Sequence, residues 1–405
     1  MPLFRSLNRL LKRKELPHSR VLVRVDLNIP IDKNGYIGWA ESYRIESIVD
    51  TVNAIRNAGA TVILLSHRGR PQGKIDESYS LLPCCIPLEK ALSCPVEFLA
   101  DPFSQESKKK IITAYPQQVF LLENLRFYPG EEENDIHFSR ELAKYGDWFV
   151  NEAFAVSHRN VASVTGLARL LPAYAGITLA REIKMLSRVI TQPKKPFIAI
   201  VGGAKISTKI GVIKKLLKHA DEIWLTGGLA NTCLASSGQR IGGSITEQSA
   251  YDEARSLIKN KKIKLPEDYI VTESIKKKPL PFSPTNVREP NDIRPREWIG
   301  DIGPNTLLSM KNSLKNAGTV VWNGPVGYME DARFAKGTNQ LISLLTRSHA
   351  NVIVGGGETV QAWRLVHHTP TMWKSLSHIT LSTGGGAMLE FIEKGTLIGI
   401  KVLSN

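Results

Sequence analysis

Short apolar runs rich in β-branched residues recur along this chain, and segments of helical period separate most of them. The runs lie at 21–25, 61–65, 119–122, 148–150, 197–201, 223–225, 269–271, 319–322, 351–354 and 379–381. The helical segments include 44–57, 137–145, 205–219, 248–260, 305–317, 332–347 and 385–394. A strand that is apolar on both sides must be covered on both sides, and parallel strands need long crossovers between them. The alternation therefore predicts an α/β fold of mostly parallel sheets with helices on both faces.

A chain of 405 residues exceeds what one ordinary core organises, so two domains are expected. The stretch YAGITLAREIKMLSRVITQPKKPFIAIVGG (174–203) reads as one helix over about 178–191, a proline-marked break and a new strand, which places the boundary there.

Composition excludes several classes. Hydrophobic residues make up 42% and charged residues 22%, as in a globular protein rather than a disordered one. No run of about eighteen apolar residues exists to span a membrane. The basic N-terminus, MPLFRSLNRLLKRKEL, lacks a continuous apolar core and a small-residue cleavage site. It reads as a surface segment docking its leucines on the body, with a membrane-surface or targeting helix as the alternative. Cys84, Cys85, Cys94 and Cys233 have no metal-binding spacing, which fits a reduced, cytoplasmic chain. The net charge of +15 raises nucleic acid as a partner. Much of the excess lies in runs at 107–110, 259–264 and 276–278, without interleaved aromatics for base stacking, so solvated faces are expected instead.

The residues after each strand carry the functional signal, because open parallel sheets bind ligands beyond the carboxyl ends of their strands. In the second half these are VGGAK (201–205), TGGLAN (226–231), WNGPVG (322–327), VGGGET (354–359) and STGGGAM (382–388). Bare backbone at helix N-termini suits phosphate. In the first half they are VDLN (25–28), SHRGRP (66–71), ENLRF (123–127) and NEAFAVSHR (151–159), a basic hydrogen-bonding set suited to a small anion. Neither GxGxxG nor GxxxxGK[ST] is present. Lys205 and Lys209 oppose the dipole at a helix start, which an anion there would offset. Glu358 reads either as an acid favouring a helix N-terminus or as a Mg²⁺ ligand beside nucleotide phosphates. His67, Arg68 and Arg70 share one loop. Asp26 and Asn28 are turn formers or point the same way at a strand end. Two anion sites on two domains suggest transfer between two bound anions.

These ordered stretches, from RVLVRVDLNIP through LLSHRGRP, LLENLRF, NEAFAVSHR, GGAKISTK, GGLANT, DIGP, VWNGPVG and GGGET to STGGGAMLEF, resemble the phosphoglycerate kinase family across nearly the whole chain. The resemblance implies two Rossmann-like lobes joined by a hinge helix. A 3-phosphoglycerate lobe would cover 1–177, the helix 178–191, a nucleotide lobe 192–396, and 397–405 would return to the first lobe. Asp26, Asn28, Arg44, His67, Arg70, Arg126 and Arg159 would bind 3-phosphoglycerate. Lys209, Glu330, Gly356, Gly357, Glu358 and Thr359 would bind ATP or ADP, with Mg²⁺ on Glu358. Arg44, Lys205 and Lys209 would carry catalysis, and the backbone of Gly384, Gly385 and Gly386 would share the transition-state charge. Here Glu358 and Glu152 stand where the family usually has Asp, and Ala155 where it has Gly. The reaction implied is ATP + 3-phosphoglycerate ⇌ ADP + 1,3-bisphosphoglycerate. Its nucleophiles are already ionised, so positioning and charge stabilisation suffice without a general base. Lobe closure would exclude water. A cytoplasmic monomer, with no nucleic-acid or membrane partner, is expected.

Overall fold

The computed structural model describes residues 3–32, 34–275, 278–279, 282–367 and 376–404. Lys276 and Lys277 of one basic run, and Asn405, lie outside them. The chain divides into two compact units, Met1–Ser187 with Lys394–Asn405, and Arg188–Glu393. The division falls inside the helix Ile177–Thr191.

The first unit is built on a parallel sheet of β1 (Arg20–Arg24), β2 (Thr61–Leu65), β3 (Glu97–Leu99), β4 (Val119–Leu122), β5 (Trp148–Asn151) and β6 (Ala173–Ala175), in the order β3-β4-β2-β1-β5-β6. β2 and β4 are buried throughout, as continuous apolar runs covered on both faces must be. Each fully buried Val, Leu or Ile contributes roughly 1.5–3 kcal/mol, so these runs commit the sheet to the centre.

The N-terminal segment docks in part as its leucine spacing predicts. Leu7 and Leu10 are buried in the first unit's core together with Leu16, and Leu11 is partly buried against it, but Leu3 is exposed, as are Arg9, Lys12, Arg13 and Lys14. Arg5 donates its amide to Leu403 and accepts the amide of Ala175, so the two chain ends meet beside β6. The short helix Ile398–Lys401 is tied down by the Gly399 amide, which donates to the Ser157 carbonyl.

The second unit has its own parallel sheet, β7 (Phe197–Val201), β8 (Glu222–Leu225), β9 (Ile263–Lys264), β14 (Thr319–Asn323), β15 (Asn351–Gly355) and β16 (Ile379–Leu381), in the order β16-β15-β14-β7-β8-β9. The strand direction of progress reverses between β7 and β14, which makes that junction the switch point where a ligand crevice opens. A smaller antiparallel sheet joins β10 (Tyr269–Ile275) to β11 (Lys278–Pro279), β12 (Asn286–Arg288) and β13 (Glu297–Ile302). The apolar run at 269–271 fits the parallel alternation in sequence but lies in this antiparallel sheet. An apolar run does not encode strand direction; the connection does, and here it is short enough to turn back.

Candidate active site

In the first unit the loops beyond β1, β2, β4 and β5 supply a cluster of cations. Asp26, buried just past β1, accepts the Asn28 amide at 3.1 Å and pairs through its other oxygen with Nη1 of Arg44. Burial works against the charge on Arg44, but Asp26, with Tyr43 and Glu41, outweighs it and holds the guanidinium above its ordinary value. Asn28 Oδ1 accepts the Gly69 amide at 2.9 Å, joining the first two loops. Gly69 has φ +64°, and a Cβ there would meet the Tyr79 ring at 2.1 Å, so this turn requires glycine.

His67 is buried, and its Nδ1 lies 3.0 Å from Nη2 of Arg24. Burial, and then the guanidinium groups of Arg24, Arg126, Arg159 and Arg44, push its pKa well below the usual imidazole range. Arg126 is buried, donating to the Gly69 carbonyl at 2.7 Å and pairing with Glu132 at 3.2 Å. Nε of Arg44 and Nε of Arg159 are buried with no hydrogen-bond partner among the described residues. A concentration of guanidinium groups with unsatisfied donors is what an anion satisfies.

The structure thus brings Asp26, Arg44, His67, Arg126 and Arg159 together and adds Arg24, which sequence reading did not single out. Its signal was present: a charge between Val23 and Val25 in an otherwise apolar buried strand must be paired. Arg70 stands exposed at the end of its loop. Arg68, grouped with the anion-binding residues in sequence, is turned elsewhere. Its Nε donates to Ile29 at 3.0 Å and its Nη1 to Ser78 at 2.6 Å and Ser80 at 3.2 Å, so it braces backbone carbonyls.

In the second unit, glycines at the switch point let main chains touch. A Cβ on Gly202 would lie 2.3 Å from the Pro325 carbonyl oxygen, one on Gly228 2.5 Å from that of Ala204, and one on Gly385 2.6 Å from Gly356 Cα. Gly356 has φ +101° and precedes the helix Gly357–Val366, whose first-turn amides have no acceptor within the helix. Gly384 leads into the helix Gly385–Lys394, whose first two residues are Gly385 and Gly386. The Thr359 hydroxyl is buried and accepts the Gly324 amide at 3.0 Å, which locks the two loops together.

Lys209 Nζ donates to the Gly202 carbonyl and to Asn323 Oδ1. Burial pulls its pKa down to about 8, with Glu358 pulling the other way. Lys205 is exposed at the loop's start, and Glu247 holds the intervening Ser207 by its amide at 2.9 Å and its hydroxyl. Asn323 was also missed in sequence, where it reads only as the end of an apolar strand.

These loops border a cleft of about 320 Å³. It is lined by Gly203, Gly227, Gly228 and Val326, by Tyr269, Trp298, Gly300 and Tyr328, and by Glu330 and Glu358. Apolar and aromatic walls with convergent glycine backbone suit a base with a phosphate tail. Among the described residues no group of three or more His, Cys, Asp or Glu is placed to hold a metal. A divalent ion here would depend on Glu358 and on oxygens of the ligand itself.

A glycine-lined apolar cleft in one unit and a cationic cup in the other fit an enzyme that handles phosphorylated anions. Comparison narrows the class. Residues 11–395 match the family model for phosphoglycerate kinase. The phosphoglycerate kinase of Pelotomaculum thermopropionicum is 40% identical over 391 residues, covering 95% of this chain and 96% of that protein. That of Moorella thermoacetica is 40% identical over 400 residues, covering 97% and 98%. The solved phosphoglycerate kinase structures from Coxiella burnetii (TM-score 0.80, 36% identity, 99% of each chain) and Pyrococcus horikoshii (TM-score 0.83, 27% identity, 99% of this chain and 98% of that one) share the fold. The chain belongs to the phosphoglycerate kinase family.

Proposed function

We propose that this enzyme catalyses reversible phosphoryl transfer between ATP and the carboxylate of 3-phosphoglycerate, with the two substrates divided between its units. The first, 1–177 together with the returning 397–405 segment, binds the acceptor through Asp26, Asn28, Arg44, His67, Arg70, Arg126 and Arg159. The second, 192–396, binds the nucleotide, and the 178–191 helix is the hinge. The observation that carries this reading is the set of buried guanidinium groups around neutral His67, with Nε of Arg44 and Nε of Arg159 unsatisfied.

The acceptor carboxylate is ionised at neutral pH, so no residue need remove a proton from it. Arg44 and Lys205 stabilise the transferring group, Lys209 follows the phosphate, and the amides around Gly357 and Gly384 to Gly386 share its charge. Glu330 holds the sugar, and Gly356, Gly357, Glu358 and Thr359 form the phosphate wall. Glu358 fits a Mg²⁺ ion that arrives with the nucleotide, because such ions take one or two carboxylates plus phosphate oxygens. Held there by Glu358, it would offset the charge of the phosphate oxygens. No described helix is long and apolar enough to cross a membrane. A cytoplasmic monomer, without nucleic-acid or membrane partners, completes the reading.

The direct test is calorimetric titration of each ligand into the wild type and two variants. Arg126→Ala should lose 3-phosphoglycerate and keep ADP, and Glu330→Ala should do the reverse. Loss of both ligands in either folded variant contradicts the division of labour.

A further inference from the structure

A buried chain of hydrogen bonds lies behind the cationic cup. Glu131, Ser163, Arg24 and His67 are each at most 3% exposed. Ser163 donates its amide to Glu131 Oε2 at 2.9 Å and its hydroxyl to Glu131 Oε1 at 2.6 Å. With its proton committed to the carboxylate, the Ser163 oxygen accepts Nε–H of Arg24 at 2.8 Å. Arg24 places Nη1 on the Val25 and Leu65 carbonyls and Nη2 on His67 Nδ1.

The direction of this chain is forced. A guanidinium has only donors and keeps its charge in proteins, so the ring nitrogen facing it must accept. His67 Nδ1 therefore carries no proton, and in the neutral ring the proton sits on Nε2. The charged groups acting on the ring are Arg24, Arg126, Arg159 and Arg44, all cations, which oppose a second proton. The ring is thus a neutral donor through Nε2–H.

We propose that Glu131 and Ser163 are positioning residues for the acceptor site: through Arg24 they lock His67 as the Nε2–H tautomer, which donates a neutral hydrogen bond to the anionic substrate. The proposal rests on the reading that the first unit binds 3-phosphoglycerate. The guanidinium groups supply charge, and His67 supplies a directional donor that adds none.

Long-range proton–nitrogen NMR of the full chain tests the tautomer without substrate, with the His67 signals assigned by their loss in His67→Gln. Expected are a bare Nδ1 and a protonated Nε2 that do not change between about pH 6 and pH 8. A proton on Nδ1, or an imidazolium within that range, overturns the proposal. Ser163→Ala should then give mixed tautomers and raise KM for 3-phosphoglycerate about five- to tenfold, the scale of one lost hydrogen bond, with kcat and KM for ATP within about twofold of wild type. Ser163→Thr should restore the signature and KM. Should Ser163→Ala fail to fold, Glu131→Gln should move both readouts in the same direction. A folded variant with unchanged KM and tautomer overturns the positioning role. Wild-type protein that has the tautomer but does not bind 3-phosphoglycerate removes the substrate reading instead.

Discussion

Lys209 Nζ lies 3.0 Å from Asn323 Oδ1, at the junction of β7 and β14 where the sheet order reverses. Asn323 Nδ2 is buried with no hydrogen-bond partner among the described residues. The ammonium is thus held at the crevice by neutral dipoles rather than by an ion pair. Its pKa of about 8 lies below the ordinary lysine value because burial penalises the charge. With a folded value below the unfolded one, the penalty is fully present below about pH 8 and fades as pH rises toward about 10.4, so this residue makes folding stability rise across that window.

In the proposed site, a phosphate beside Lys209 would restore the proton that it partly lacks. ADP binding near pH 8 should therefore take up about half a proton, measurable by calorimetry in two buffers of different ionisation enthalpy. Lys209→Arg should abolish the uptake, because arginine stays charged. Uptake unchanged in Lys209→Arg would assign the proton elsewhere.

Arg44 is fixed by Asp26 and keeps a buried Nε without a protein partner. Arg44→Ala should lower kcat at least about a hundredfold, the scale of losing one preorganised charge at the transferring group. Steady-state kinetics at saturating ATP checks this, and a wild-type kcat removes Arg44 from the chemistry.

The glycines divide by what surrounds them. A Cβ on Gly357 meets nothing within 4 Å, whereas one on Gly202 meets two backbone oxygens at 2.3 and 2.9 Å. Gly357→Ala should melt like the wild type yet bind ADP at least about tenfold more weakly, if phosphate approaches that amide. Gly202→Ala should lose roughly 1–3 kcal/mol of stability by overpacking. Thermal melts and ADP titrations of both variants separate the two effects, and Gly357→Ala with wild-type affinity counts against a main-chain phosphate site.

Glu152 is buried at the start of the helix Ile177–Thr191, accepting the Thr51 hydroxyl at 2.7 Å and the Thr178 and Leu179 amides at 3.0 and 3.1 Å. Burial outweighs these bonds and raises its pKa to about 7. A raised carboxyl binds its proton more tightly when folded, so its contribution is full below about pH 4.3 and is lost as pH rises through about 7. The stability of wild type relative to Glu152→Gln should therefore fall between about pH 5 and pH 8, by up to about 3 kcal/mol. A pH-independent difference in denaturant midpoint contradicts this.

The parallel sheets were legible because β2, β4, β7 and β14 are unbroken apolar runs. β3 and β6 were not, since neither Glu97–Leu99 nor Ala173–Ala175 carries a β-branched residue, whereas the equally short β16, with Ile379 and Thr380, was read. The candidate residues were legible where they follow strands, as at Asp26, His67, Arg126, Lys209 and Glu358. Arg24 and Asn323 were hidden within strands, where a polar residue's partners come from distant loops. The inward turn of Arg68 and the burial of Glu152 are set by tertiary packing, to which local spacing is blind.

In the proposed reaction a phosphoryl group passes from ATP to the carboxylate of 3-phosphoglycerate. Incubating the enzyme with γ-labelled ATP, Mg²⁺ and 3-phosphoglycerate, and separating intact labelled acyl phosphate from ATP and inorganic phosphate by cold anion-exchange chromatography, tests this transfer. Label is expected in the acyl phosphate only when both substrates are present, and strongly reduced in Arg44→Ala. Label released solely as inorganic phosphate, or no transfer by a protein that melts cooperatively, would contradict it.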